Sequence, residues 1–376
     1  MKHHILSWAL SLLVVTVLAS CRQAAVDHVG TASDSLITQA KLLTIERGEG
    51  YTLVTVLNPW DSNHGALQRY VLVPRDAEVP AQLPEGTLVR TPLQNALVYS
   101  SVHTSVMKEL GMGASVGGVC DAQFFTDPDI TQRVASGDLA DCGSSMGPTI
   151  EKVIEMNPDG ILLSPYQDAS YGQITTLNIP IIECADYMET TPLGRAEWIK
   201  FYGALMGKDA LADSIFNQVC ARYDSICQQA AKLPHKPLVL TEMVISGVWN
   251  VPGGQSYMAR LIQDAGGIHP WADDKSMGSL NLDFNQVLAV AQQADVWLIK
   301  SFYVHSLADV RGANALNEQF KAYATKRIYV CDTNATRLFE QFPFHPDRLL
   351  LDYYNIFSDV TGNQQANTVY YKRLLN

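Results

Sequence analysis

Between Lys208 and Lys232 apolar residues return at helical spacing: Leu211, Ile215, Val219, Tyr223 and Ile226 form one stripe, with Gly207 before it and Pro234 closing it. A stretch of about 25 residues makes a helix of roughly 37 Å. On both sides short apolar strands alternate with helices. Before it run a strand at Leu93 to Tyr99, a helix at His103 to Leu110, a strand near Ser115 to Val119, a helix at Ile150 to Met156 and a strand at Gly160 to Leu163. After it come a strand at Pro237 to Val244, helices at Ser256 to Ala265 and Phe284 to Gln292, a strand at Val296 to Lys300, a helix at Asn314 to Tyr323, a strand at Ile328 to Val330 and a helical stretch from Pro346. Such alternation predicts largely parallel sheets with helical crossovers. The expected class is α/β, with two Rossmann-like lobes joined by a single long α-helix and a ligand crevice between them.

Gly50 to Leu57 and Gln68 to Pro74 are rich in β-branched and aromatic residues and flank the polar turn Asn58-Pro59-Trp60-Asp61-Ser62-Asn63, so a β-hairpin is expected at the start of the first lobe. Ahead of it, Met1, Lys2, His3 and His4 precede an apolar run from Ile5 to Ala19 that ends in Leu18-Ala19-Ser20-Cys21. A run of about 15 residues falls short of the roughly 20 that span a bilayer, and it has the layout of a cleaved export signal. Cys21 stands where a lipoprotein signal places its lipidated cysteine. The expected organisation is therefore a signal peptide at 1–20, a tether at 21–45, an N-terminal α/β lobe at 46–207, a linking helix at 208–232 and a C-terminal α/β lobe at 233–376. The location that follows is periplasmic, lipid-anchored to the cell membrane or outer membrane.

About 355 mature residues exceed what one core usually organises. The formal charge is −11, and loss of residues 1–20 removes one lysine and no acid. An acidic chain of this kind lacks the basic face that phosphates require, which excludes nucleic acid as a partner. The six body cysteines, Cys120, Cys142, Cys184, Cys220, Cys227 and Cys331, show no zinc spacing. Cys220 and Cys227 lie about 10 Å apart on a helix, too far to bridge. Cys120 with Cys142 is the pair to test, and buried free thiols are an equal alternative.

Three segments carry a resemblance. Gly147 to Leu163 (GPTIEKVIEMNPDGILL) resembles the P-x-x-E-x-I-x-x-x-x-P-D-x-I signature of the proteins that bind ferric siderophores, haem and cobalamin for ABC importers, the class with a rigid helix between lobes. Trp249 to Asp274 looks like the second-lobe segment of that family, a Gly-rich turn opening a helix that ends in Ala265-Gly266-Gly267. Ser279 to Leu288, followed by Ala294 to Ile299, is similar to the second-lobe counterpart of the first motif. Together with the linking helix the resemblance covers about residues 90 to 360.

This likeness implies a substrate-binding lipoprotein that captures a small metal chelate and delivers it to a permease and its ATPase subunits. An iron chelate, ferric siderophore or haem, ranks first, and a corrinoid follows. It also implies that one acid at the tip of each lobe meets arginines of the permease. Glu151 matches the first position. The second falls on Asn285, so Asp283, two residues away, is the nearest acid to serve. A first-turn acid complementing the helix dipole explains Glu151 equally well without a partner.

The ligand is expected at the carboxyl ends of the strands, where loops of both halves meet. Those loops place Ser101, His103, Tyr166 and Tyr187 in the first half and Trp249, Tyr303 and Asn334 in the second, with Trp249, Tyr166 and Tyr303 foremost because aromatic faces suit a flat or bulky chelate. Basic groups for an anionic chelate are few, Lys300 and Arg337 being the two. A bare metal ion needs three or four converging His and carboxylate ligands, and only His103 and His305 fall in crevice loops, so neither a metal site nor a resident cofactor is expected. HExxH, P-loop and GxGxxG patterns are missing, which argues against an enzyme. A lipid-anchored hydrolase or glycan-binding protein remains the alternative from another class.

Overall fold

A computed structural model describes residues 36–359, apart from 62 and 64, and residues 367–375. The proposed signal peptide, the lipidation position Cys21 and most of the tether lie outside the described residues. The tether's last part does not hang free. Thr38, Gln39 and Ala40 donate backbone N–H groups to the Glu197 carboxylate at 2.5–3.0 Å, and Lys41 and Leu42 donate to Glu189 at 2.9 Å. Two buried carboxylates can satisfy a run of otherwise unpaired amides. Leu42, Leu43 and Ile45 then enter the core.

The expected hairpin forms, and it is half of a larger sheet. Strands β1 (Leu43–Gly48), β2 (Tyr51–Leu57) and β3 (Ala66–Pro74) pair antiparallel, and β4 (Thr87–Thr91) adds in parallel to β3. The N-terminal lobe follows: β5 (Ala96–Val98), α1 (Ser101–Glu109), β6 (Val116–Val119), α2 (Pro128–Ser136), β7 (Ala140–Asp141), the small ribbon β8 (Gly143–Ser144) and β9 (Gly147–Pro148), α3 (Ile150–Met156), β10 (Gly160–Leu163) and β11 (Ile181–Glu183). Its parallel sheet runs β11-β10-β5-β6-β7. The side-chain period of two sends Ala96, Val98 and Leu162 into one core and Leu97, Ile161 and Leu163 into another, so both faces are covered. Polar caps set the helix starts: Ser100 accepts from the Val102 N–H, and Asp127 accepts from Asp129 one residue before Pro128.

Ahead of the linking helix come α4 (Pro192–Glu197) and α5 (Ile199–Met206), divided at Trp198. After Gly207, held at φ +63°, α6 (Asp209–Ala230) runs 22 residues. Its first half packs Ala212, Phe216 and Val219 into the N-terminal core, and its second half packs Tyr223 and Ile226 into the C-terminal one. One helix thus belongs to both hydrophobic cores, which ties the lobes to a common rigid element.

The C-terminal lobe comprises β12 (Val239–Thr241), a separate antiparallel ribbon of β13 (Val244–Ile245), β14 (Val248–Pro252) and β15 (Ser279–Leu282), with α7 (Tyr257–Asp264) between the last two. Then come α8 (Phe284–Ala291), β16 (Val296–Lys300), α9 (Leu307–Ala313), α10 (Lys321–Ala324), β17 (Ile328–Cys331), α11 (Leu338–Gln341), α12 (Pro346–Ser358) and β18 (Tyr371–Arg373). The expected helix at 314–323 keeps only its last turn, because Ala315–Gln319 winds as a 3-10 turn. The main sheet runs β12-β16-β17-β18, parallel except for its last strand.

Candidate functional site

Both parallel sheets point their carboxyl ends toward a cleft between the lobes. At the edge defined by β11 and β12 that cleft opens into a cavity of about 910 Å³. The N-terminal lobe supplies Tyr187, Met188, Glu189 and Thr190 just beyond β11; the C-terminal lobe supplies Glu242 and Met243 beyond β12 and Lys300, Ser301 and Tyr303 at the end of β16. The ribbon and α7 add Ile245, Asn250, Ser256, Tyr257, Met258 and Met277. A third wall comes from the accessory sheet: Lys41, Leu42, Leu57 and Pro59. Four methionines and three tyrosines give a large, adaptable apolar surface with hydroxyl groups at its margins.

Charge in this cavity is internally balanced. Lys300 donates to the Glu242 carboxylate across the floor. Burial depresses Lys300, but Glu242 more than reverses that and holds the ammonium above its ordinary value. Glu242 sits at φ +60°, a strained position for a residue with a side chain, and its backbone is pinned by Leu298 O at 2.8 Å and the Trp297 indole at 2.7 Å. Burial pushes the Glu189 carboxyl up, while the N–H groups of Leu42, Trp198 and Lys41 draw it down in part. Arg195, just outside, is engaged by Asp186 at 3.1 Å and by the Tyr257 hydroxyl at 3.2 Å, a contact that crosses from α4 to α7.

The edge defined by β6 and β17 is closed by ions. Arg337 bonds Asp127 at 2.8 Å and Glu340 at 2.5 Å, Lys108 bonds Asp127 at 2.7 Å, and His345 bonds Glu109 at 2.7 Å. Thr126 donates to Glu340 at 3.0 Å. Burial raises the Asp127 carboxyl, but Lys108 and Arg337 more than reverse it, so the group titrates below its ordinary range.

Of the ligand residues expected from sequence, Tyr187 and Tyr303 line the cavity. The Tyr187 hydroxyl donates to Pro165 O at 2.5 Å, and Tyr303 is 45% exposed with Phe302 edge-on to it. Tyr166 is exposed too, but it borders a separate hollow of about 430 Å³ within the N-terminal lobe, beside Tyr99, Ser100 and Tyr171. Ser101 opens α1, half-buried and outside both linings. Asn334 is exposed in the turn that Asp332 caps and lines neither cavity.

Two of the expected residues are buried and do not line the cavity. His103 is buried against Tyr202, because α1 turns that face inward, and burial pushes its imidazole down to about 4. Trp249 lies on β14, not in a loop; its buried indole stacks on Trp297 and meets Phe320 edge-on, and its Nε1 donates to Thr241 O at 2.9 Å. The two basic groups foreseen for an anionic ligand, Lys300 and Arg337, are both paired.

Glu151 is exposed in the first turn of α3. Asp283 is exposed as well, and its carboxylate caps α8 by accepting from the Gln286 N–H at 2.9 Å. Sequence reasoning missed Met243, Met258, Met277, Tyr257, Glu242 and the accessory-sheet wall. Glu242 and Met243 fell inside the strand expected at Pro237 to Val244, whereas β12 ends at Thr241 and leaves both beyond its carboxyl end. Among the described residues no group of three His, Cys, Asp or Glu is arranged to hold a metal ion, and no helix is long and apolar enough to cross a membrane. Cys120 and Cys142 are buried and free, each one residue beyond the paired Val119 and Asp141 of β6 and β7.

The model of the periplasmic binding protein family matches residues 99–335. The chain belongs to that family. This binding protein is 28% identical over 283 residues to an uncharacterized lipoprotein of Methanocaldococcus jannaschii, covering 71% of the chain and 67% of that protein. A second uncharacterized lipoprotein of the same organism is 25% identical over 288 residues, covering 72% and 73%. In three dimensions it is similar to a periplasmic haem-binding protein of Pseudomonas aeruginosa, with 16% identity, a TM-score of 0.58 and coverage of 76% of this chain and 99% of that one. The periplasmic vitamin B12-binding protein of Vibrio cholerae gives 15% identity, a TM-score of 0.53 and coverage of 73% and 99%. These structures share the two-lobed α/β fold. The accessory sheet β1–β4 precedes the residues that the family model matches.

Proposed function

We propose that this binding protein is the substrate-binding lipoprotein of an ABC importer, which captures an iron chelate, a ferric siderophore or haem, and delivers it to the permease. The observation that supports this most is the cavity of about 910 Å³ lined by residues of both lobes, large enough for a bulky chelate and rich in aromatic and thioether groups. A corrinoid is the alternative occupant, and a vitamin B12-binding protein is among the similar structures. Glu151 and Asp283 are the proposed permease contacts, each exposed at the start of a helix on a different lobe. Cys21 is the proposed site of lipid attachment in the periplasm. The role is binding, not catalysis: Ser256, a cavity hydroxyl, is committed to capping α7 and to Gly253 O.

Equilibrium dialysis of residues 22–376 against haem, several ferric siderophores and cyanocobalamin tests this. Saturable sub-micromolar binding of one of them, weakened by Tyr303→Ala, is the expected result. Absence of binding by the folded protein to every chelate sinks the importer reading. Labelled palmitate incorporated in cells and lost in Cys21→Ala tests the anchor.

A further inference from the structure

We infer that the cleft selects a chelate with no net negative charge, a corrinoid or a ferric trihydroxamate, over haem or a ferric tricatecholate. The inference rests on the binding role proposed above and narrows its ligand. Among the described residues the cavity wall holds four ionisable side chains of fixed sign, Lys41, Glu189, Glu242 and Lys300, two of each charge. Lys300, the one cation on the floor, already serves Glu242, and no arginine is present in the wall. Arg195, bonded to the wall residue Tyr257, is also held by Asp186. Arg337 is held by Asp127 and Glu340 at the far edge.

A carboxylate or catecholate brought to the floor loses water and finds the one ammonium there already engaged, while Lys41, exposed on the accessory-sheet wall, stays hydrated and offsets little of that cost, on a protein whose overall charge is −11. A neutral or cationic chelate meets neither cost. Its bulk instead displaces water from Met188, Met243, Met258 and Met277, and its amide or hydroxyl edge meets Ser279, Ser301 and Asn250.

The test is calorimetric titration of the mature chain with cyanocobalamin, a ferric trihydroxamate, haem and a ferric tricatecholate under identical buffer. One of the first two should bind at least about 100-fold more tightly than either anion. Glu242→Gln, which frees the Lys300 ammonium, should then raise affinity for the anions relative to the neutral ligand about tenfold. Thermal unfolding confirms that the variant is folded. If it is not, Met277→Lys, a cation added at an exposed rim position, makes the same comparison. An anion binding as tightly as the neutral chelates overturns the charge inference and leaves the importer role standing. Failure of all four ligands to bind overturns both.

Discussion

At the β6/β17 edge of the cleft the lobes meet through Asp127, Arg337, Glu340, Glu109 and His345, while at the β11/β12 edge they face each other across methionines and tyrosines and leave about 910 Å³ open. Ion pairs with fixed geometry set a spacing, and together with the shared helix α6 they hold the lobes apart by a defined distance. Thioether and phenol surfaces set no such distance and adapt to what enters. The comparison teaches that rigidity and recognition are separated along one cleft: the closed edge keeps the cavity preformed, and the open edge selects by shape and neutrality.

The largest expected effect breaks the closed edge. Asp127→Ala leaves Lys108 and Arg337 facing each other without their shared carboxylate and should cost about 4 kcal/mol in chemical denaturation. Because the Asp127 carboxyl titrates below its ordinary range, its contribution is present above that range and disappears as pH falls through the folded value. A variant as stable as the parent removes the structural role of this edge.

Acid should loosen α1, which carries Lys108 and Glu109, by a second route. His103, pushed down to about 4 by burial, stays neutral in the folded protein while the unfolded chain takes a proton near 6.5. Stability is therefore flat above about pH 6.5 and declines as pH falls from there toward 4, by up to about 3 kcal/mol. His103→Gln should flatten that part of the profile, which urea titrations at a series of pH values would reveal.

At the open edge the effects are on binding alone. Tyr303→Ala should weaken the bound chelate about tenfold, about 1.4 kcal/mol, with the unfolding midpoint unchanged. Trp249→Phe should do the reverse, lowering stability and sparing affinity, since the indole is shared among Trp297, Phe284 and Phe320. The smallest effect sharpens the charge contrast: raising salt from low to high ionic strength should move affinity for a neutral chelate by less than about twofold.

How much of the site was legible follows from the chemistry of each residue. Tyr187 and Tyr303 line the cavity because they stand in loops after parallel strands, a position that the strand pattern marks. Trp249 was misplaced because an aromatic before a Gly-rich turn reads equally well as a loop anchor or as a strand residue, and only pairing with Leu282 across β14 and β15 decides for the core. His103 failed for a related reason: helical periodicity says which residues share a face, not which face a neighbouring lobe covers. The methionines at 243, 258 and 277 lie on three separate segments with no common spacing, so nothing local marks them as one surface.

The sequence by itself determined the α/β class, the two lobes and the helix between them, since hydrophobic periodicity and capping residues are local properties that the chain carries wherever it folds. The tertiary structure alone decided that residues 38–42 dock on Glu197 and Glu189, that an accessory sheet walls the cleft, and that Lys300 and Arg337 are already paired. Those facts join residues far apart in the chain, Thr38 and Glu197 being 159 positions apart. Charge balance and cavity shape depend on such long-range contacts, and no window of sequence contains both partners.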